Sequence, residues 1–185
     1  MRKWTAALVS LVAGLAAGGA VLVTPAAAAS APYCGIRWGS TAEQAAGSSA
    51  APLVNVRAGR HACYDRLVLD VRGDARGYRV EYVSQVRTDG AGVLVPLRGG
   101  AKLQIVSRSP AYDINTGRAT YTPRNRAELV NVAGFRTFRQ VAWAGSFEGQ
   151  TTIGLGVRAR LPFRVFVLDG PGSGSRLVID VAHRW

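Results

Sequence analysis

Apolar and polar residues alternate with a period of two in Arg66-Leu67-Val68-Leu69-Asp70-Val71. The pattern returns far downstream in Arg176-Leu177-Val178-Ile179-Asp180-Val181. Such alternation marks a strand, because successive side chains leave opposite faces of a sheet. In the second stretch Leu177, Ile179 and Val181 share one face, and Arg176, Val178 and Asp180 share the other. Each stretch has an alternating companion. Tyr78-Arg79-Val80-Glu81-Tyr82-Val83 follows the first, and Phe163-Arg164-Val165-Phe166-Val167-Leu168 precedes the second. The chain thus carries one strand pair twice, with its halves in reverse order. The first pair reads as a hairpin across Gly73-Asp74.

Further strands are predicted over 53–57, 92–97, 102–108, 135–144 and 147–160, with Gly-rich turns between them. The two repeated stretches extend to strands over 61–72 and 176–183, and the first companion to 77–87. Gly145-Ser146 reads as the turn between two of these strands, and Gly154 and Gly156 suggest a bulge or close packing. Residues 109–126 are polar and turn-rich and read as a long surface loop, a common place for function. Ser40 is placed to cap a short helix over 41–46, with Glu43 in its first turn. No stretch sustains helical periodicity. The expected fold is an all-β, two-sheet sandwich of about eight or nine strands.

The beginning of the chain does not fit that pattern. Arg2 and Lys3 precede a long apolar run, Thr24-Pro25 breaks it, and Ala26 to Ala29 offer small-residue cleavage positions. Residues 1–29 read as a signal peptide, with an uncleaved membrane anchor as the competing reading. Residues 30–60 read as an irregular N-terminal arm, and 61–185 as the β domain. No stable membrane span is expected once the leader is removed. The expected location is outside the cell or in its envelope.

The chain has 23 Lys and Arg against 11 Asp and Glu. Removal of Arg2 and Lys3 with the leader takes 23 to 21 and leaves a net charge of +10. Lys102 is then the only lysine. Codon bias towards GC explains the arginine-to-lysine ratio, but not the excess of positive charge. That excess favours anionic surfaces. Charge alone also fits nucleic acid, which the leader argues against. Cys34 and Cys63 are an even pair in an exported chain and read as a disulfide tying the arm to the first core strand. It closes a loop of about 29 residues and contributes roughly 3–4 kcal/mol in the loop-entropy account.

A search for catalytic groups finds little. There is no nucleophile elbow, zinc-protease motif, phosphate loop or dinucleotide fingerprint. His61 and His183 read as surface or satisfied histidines. Asp70 and Asp180 occupy equal places in a repeated strand, which favours structural pairing with Arg66 or Arg176 over paired-acid catalysis. Glu148 stands in Gly145-Ser146-Phe147-Glu148-Gly149, where it can accept a sugar hydroxyl or, as the favoured reading, pair with an arginine. Trp143, Tyr82, Tyr112 and Tyr121 are candidates to stack on sugar rings, with core packing preferred for Trp143. Neither a metal site nor a cofactor is expected.

The joint order of these strands resembles the AMIN-like domain of secreted actinobacterial proteins, related to the AMIN domain. The resemblance rests on Arg-Leu-Val-Leu-Asp-Val with Gly-Tyr-Arg-Val near the start, and Phe-Arg-Val-Phe-Val-Leu, a proline and Ser-Arg-Leu-Val-Ile-Asp-Val at the end. Cys34 with Trp38-Gly39-Ser40, His-Ala-Cys-Tyr-Asp-Arg at 61–66 and Phe-Glu-Gly at 147–149 add to it. It covers roughly residues 33–185. It implies a two-sheet domain of the cell envelope; AMIN domains accompany wall amidases and secretin-type assemblies and target them to peptidoglycan. With no such partner domain after Trp185, the expectation is a stand-alone, non-enzymatic module binding peptidoglycan or an associated anionic wall polymer. The alternative is a protein-interaction module, an inhibitor or assembly factor of the envelope. Arg79, Arg164 and Arg176 are the expected ligand contacts, on the repeated placement of Arg79 and Arg164, with Glu148 and Tyr82 beside them.

Overall fold

A computed structural model describes residues 32–185, so the leader expected over 1–29 lies outside the described residues. The described chain is all-β apart from one 3-10 turn at Tyr33–Gly35. Its strands are β1 (Glu43–Ala45), β2 (Leu53–Arg60), β3 (Tyr64–Val71), β4 (Tyr78–Val83), β5 (Val86–Arg87), β6 (Leu94–Val95), β7 (Ala101–Ser107), β8 (Phe138–Phe147), β9 (Gln150–Val157), β10 (Phe163–Asp169) and β11 (Ser175–Ala182). The count exceeds the expected number because β1 forms where a helix was expected and the strand expected over 77–87 breaks into β4 and β5; β6 is the paired part of the strand expected over 92–97.

Two antiparallel sheets face each other. One runs β1-β4-β7-β9-β8, the other β10-β11-β3-β2, and β5-β6 forms a small separate ribbon. The inward faces are the apolar alternates of each strand. Leu67, Leu69, Phe163, Leu177, Ile179 and Val181 come from the four-stranded sheet, and Val80, Leu103, Ile105, Val141, Ile153 and Leu155 from the other. All are buried and belong to one cluster. Sequestering these side chains from water between two sheets is the main force holding the sandwich.

The repeated stretches pair with each other. β3 lies antiparallel to β11, with Val68 opposite Val178, Arg66 opposite Asp180 and Asp70 opposite Arg176. The second companion pairs as expected, β10 with β11. The first does not: β3 and β4 form no hairpin. β3 has both edges occupied, by β11 and β2, and the chain crosses at Gly73–Gly77 to lay β4 against β7 in the opposite sheet. The sequence distinguishes a hairpin from a crossover only by the turn, and a short Gly-containing turn serves both.

Other expectations move by local steps. No helix forms at 41–46. Three residues there pair with β4 instead, and Glu43 Oε2 accepts from the Val165 N–H at 2.9 Å. A helix that short is marginal unaided, and a free strand edge offers its backbone better partners. The β8–β9 turn falls at Glu148-Gly149, and Gly145 sits at a bulge of β8. Gly154 and Gly156 serve close packing: a Cβ on Gly156 would lie 2.0 Å from the Arg98 carbonyl oxygen. The arm is irregular only as far as β1 and up to β2, which is a full member of the four-stranded sheet. The Cys34–Cys63 disulfide fastens its start beside β3.

Candidate functional site: a groove at the edge of β8

β8 is an edge strand, and an unpaired edge invites association. The long loop after β7 covers it. Leu129 N–H donates to the Val141 carbonyl at 2.8 Å and Trp143 N–H to the Arg126 carbonyl at 2.7 Å. Ala111 N–H donates to Ser146 Oγ at 2.9 Å, and Gly149 N–H to the Tyr112 hydroxyl at 2.9 Å. On the other side, the loop between β5 and β6 reaches β8 through the Asp89 N–H, which donates to the Ala144 carbonyl at 3.0 Å. The approach is close: a Cβ on Gly145, whose φ is +134°, would stand 3.4 Å from Asp89 Cβ.

Between the two loops lies an open groove of 590 Å³. Trp143 and Tyr121 meet along it with ring centroids 5.6 Å apart, and Tyr112, Phe147, Asp89 and Arg126 complete its chemistry. Phe147 is 51% exposed. Burial pushes the Tyr121 hydroxyl above its usual range. Asp89 Oδ1 accepts from the Thr152 hydroxyl at 2.9 Å, while Oδ2 is buried without a partner. Burial therefore raises the Asp89 carboxyl above its usual 3.8, against a smaller lowering by Thr152. The groove offers aromatic faces beside hydroxyls, one carboxyl and one guanidinium. Asp89 is the only carboxyl lining it. Paired-acid glycoside cleavage needs two.

The chain matches the AMIN-like domain over residues 51–183. It belongs to the AMIN-like domain family. Among curated proteins none matches it. Domains of this family occur in envelope-associated proteins and are of the non-catalytic, binding type. Among the described residues of this AMIN-like domain, no helix is long and apolar enough to cross a membrane.

The five residues expected to form the site are dispersed. Arg79 projects from the outer face of β4, where it grips Glu81 at 2.6 and 2.8 Å and Gln44 at 2.9 Å. That contact holds the Glu81 carboxyl below its usual range. Arg164 belongs to the outer face of the other sheet. It reaches Asp180 at 2.7 Å and lies over Phe166, Tyr64 and Trp38 at 4.9, 5.4 and 5.5 Å. The equal placement of Arg79 and Arg164 in the sequence thus corresponds to two unrelated surfaces. Tyr82 faces inward. Its hydroxyl donates to the Leu161 carbonyl at 2.6 Å and accepts from the Leu161 N–H at 3.0 Å, and burial pushes it up to about 12. Glu148 caps the β8–β9 turn with φ +49° and is exposed; among the described residues it forms no ion pair. Arg176 lies on β11 beside the β10–β11 turn.

Of the stacking candidates, Tyr112, Tyr121 and Trp143 come together and Tyr82 does not. Asp89 was legible only as part of the turn Thr88-Asp89-Gly90, and Phe147 only as a strand residue. Asp70 and Asp180 do carry structural ion pairs: Arg57 holds Asp70 at 2.9 Å, and Arg66 with Arg164 holds Asp180 at 2.7 Å. His183 is buried and only half satisfied: Nε2 lies 3.2 Å from Asp65 Oδ1, and Nδ1 has no partner. Asp65 Oδ2 accepts from the Thr137 and Phe138 N–H groups, which pins the start of β8 to β3.

Proposed function

We propose that this chain is a non-enzymatic binding module of the cell envelope that holds a wall glycan along the groove at the β8 edge. One observation carries the reading: three aromatics from separate parts of the chain, Tyr112, Tyr121 and Trp143, line one open groove with a hydrogen-bonding carboxyl. Sugar rings present C–H faces that pack on aromatic rings, and hydroxyls that an acid and a guanidinium can fix. Family membership supports an envelope setting. The excess of arginine supports retention on an anionic wall. Arg79 and Arg164 already carry carboxylates of this chain, so they contribute little to that attraction.

A protein partner is the second reading. It is favoured by exposed Val93, Leu94, Ile114 and Phe147, all on the loops and strand ends that border the groove. The test is retention on purified sacculi and on a soluble N-acetylglucosamine oligomer. Tyr121→Ala is expected to weaken both about tenfold, the equivalent of roughly 1.4 kcal/mol. Retention unchanged by that substitution would reject the glycan reading. Retention of the parent chain on neither material would favour a protein partner.

A further inference from the structure

The pairing of β3 with β11 sets up two equivalent ion pairs, and only one of them closes. The register puts Arg66 opposite Asp180 and Arg176 opposite Asp70. Arg66 reaches Asp180 at 2.7 Å. At the equivalent place β2 intervenes. Arg57 grips Asp70 through Nε at 2.9 Å and Nη2 at 3.0 Å, and Asn55 Nδ2 donates to the same carboxylate at 3.1 Å. Arg176 is left with one hydrogen bond, from Nη2 to the Asp169 carbonyl at 2.8 Å. Its Nε is buried with no acceptor. A buried donor without a partner is rare, and a cationic one costs more than a neutral one.

Arg176 lines a recess of 530 Å³ under the β10–β11 turn, together with Arg57, Arg72 and Ser173. Arg72 is exposed and, among the described residues, has no carboxylate within ion-pair distance. Asp70 is the only carboxylate in the lining. Three guanidiniums against one carboxylate leave the recess with two positive charges in excess. The contrast with the other end of the pair is chemical. Asp180 is wholly buried between Arg66 and Arg164, and both of those guanidiniums reach its carboxylate, so neither is left without an acidic partner.

We infer that this recess is an oxyanion site, in which a phosphate or carboxylate group sits between Arg176 and Arg72. Guanidinium forks match both groups, and charge-assisted bonds of this kind are the stronger class. The glycine-rich turn leaves the approach open. The site goes beyond the groove at β8, which belongs to the other sheet, and it needs no occupant there.

The test uses the full chain, with inorganic phosphate, acetate and chloride as probes, followed by NMR at the arginine Nε–H groups. Phosphate or acetate is expected to shift the Arg176 Nε–H saturably, at concentrations where chloride does not. The better of the two identifies the source as a phosphate-bearing or a carboxylate-bearing polymer. Arg72→Gln, which removes only an exposed side chain, is expected to weaken binding at least about fivefold. Arg176→Lys should do the same, because lysine keeps the charge and loses the fork. Tyr121→Ala should leave this binding untouched, so failure here and failure of the glycan reading are told apart. No saturable shift would overturn the site. An equal loss in Arg124→Gln, far along the long loop, would also overturn it by showing only diffuse attraction.

Discussion

Asp89 carries an uneven environment into the groove. One oxygen is bonded by Thr152 and the other is buried without a partner, so burial raises its carboxyl above 3.8. A raised acid binds its proton more tightly in the folded chain than in the unfolded one. Its contribution to stability is then complete below pH 3.8 and is lost as pH rises through the raised folded value. At neutral pH the ionised form is a penalty. Asp89→Asn keeps an acceptor for Thr152 and removes that charge. Chemical denaturation is expected to find the variant more stable than the parent at pH 7, with the difference vanishing below pH 3.8. A difference independent of pH would show that the carboxyl is ionised without cost. Asp180 is the contrasting residue: it is fully buried where Asp89 is half-buried, yet it is held by two arginines. The sequence displays Asp180 in a repeated strand and Asp89 in a turn, and neither setting states what the side chain will meet. Their difference arises from which side chains neighbouring strands deliver.

At the scale of elements, β9 can be crossed because it contains glycine where the segment before β7 lies on it. A Cβ at Gly156 would meet the Arg98 carbonyl oxygen at 2.0 Å, and one at Gly154 would meet Leu97 Cδ1 at 2.7 Å. The first obstacle is backbone and cannot rotate away. Gly156→Ala should therefore destabilise by about 2 kcal/mol or more in a urea titration, since overpacking without relaxation costs in that range. Gly154→Ala faces only a flexible leucine tip and should cost less. Equal losses in the two would mean that chain entropy, and not contact, dominates. The same crossing brings the β5–β6 ribbon onto β8, where Val86 and Val95 bury Ala142 and Ala144 in a second small cluster. That ribbon carries Asp89 to the groove. Sequence pattern located these strands but misplaced the β8–β9 turn. Gly145-Ser146 looks like a turn, and its actual use is a bulge that admits the Asp89 loop.

Across the whole molecule the N-terminal arm ties the ends together. Gly39 bridges Phe163, Glu43 binds the Val165 N–H, and the Cys34–Cys63 disulfide anchors the arm beside β3. Trp38 thereby lies over Arg164 at 5.5 Å. Cys34→Ser with Cys63→Ser is expected to lower stability by about 3–4 kcal/mol, from release of a loop constraint of 29 residues. It should also change the fluorescence of Trp38 before global unfolding. A single transition with unchanged stability would mean that the arm is held by its other contacts. The sequence by itself determined the strands, the sandwich, the disulfide and the family, because period-two alternation and paired cysteines are local signals that burial enforces. It also showed Tyr112, Tyr121 and Trp143 as aromatics of interest. Only the tertiary structure decided that β3 pairs with its copy and not with β4, that Arg79 and Arg164 stand on different sheets, and that Arg57 displaces Arg176 from Asp70. Those outcomes depend on which strands compete for the same edge and the same carboxylate, and a one-dimensional pattern holds no record of that competition.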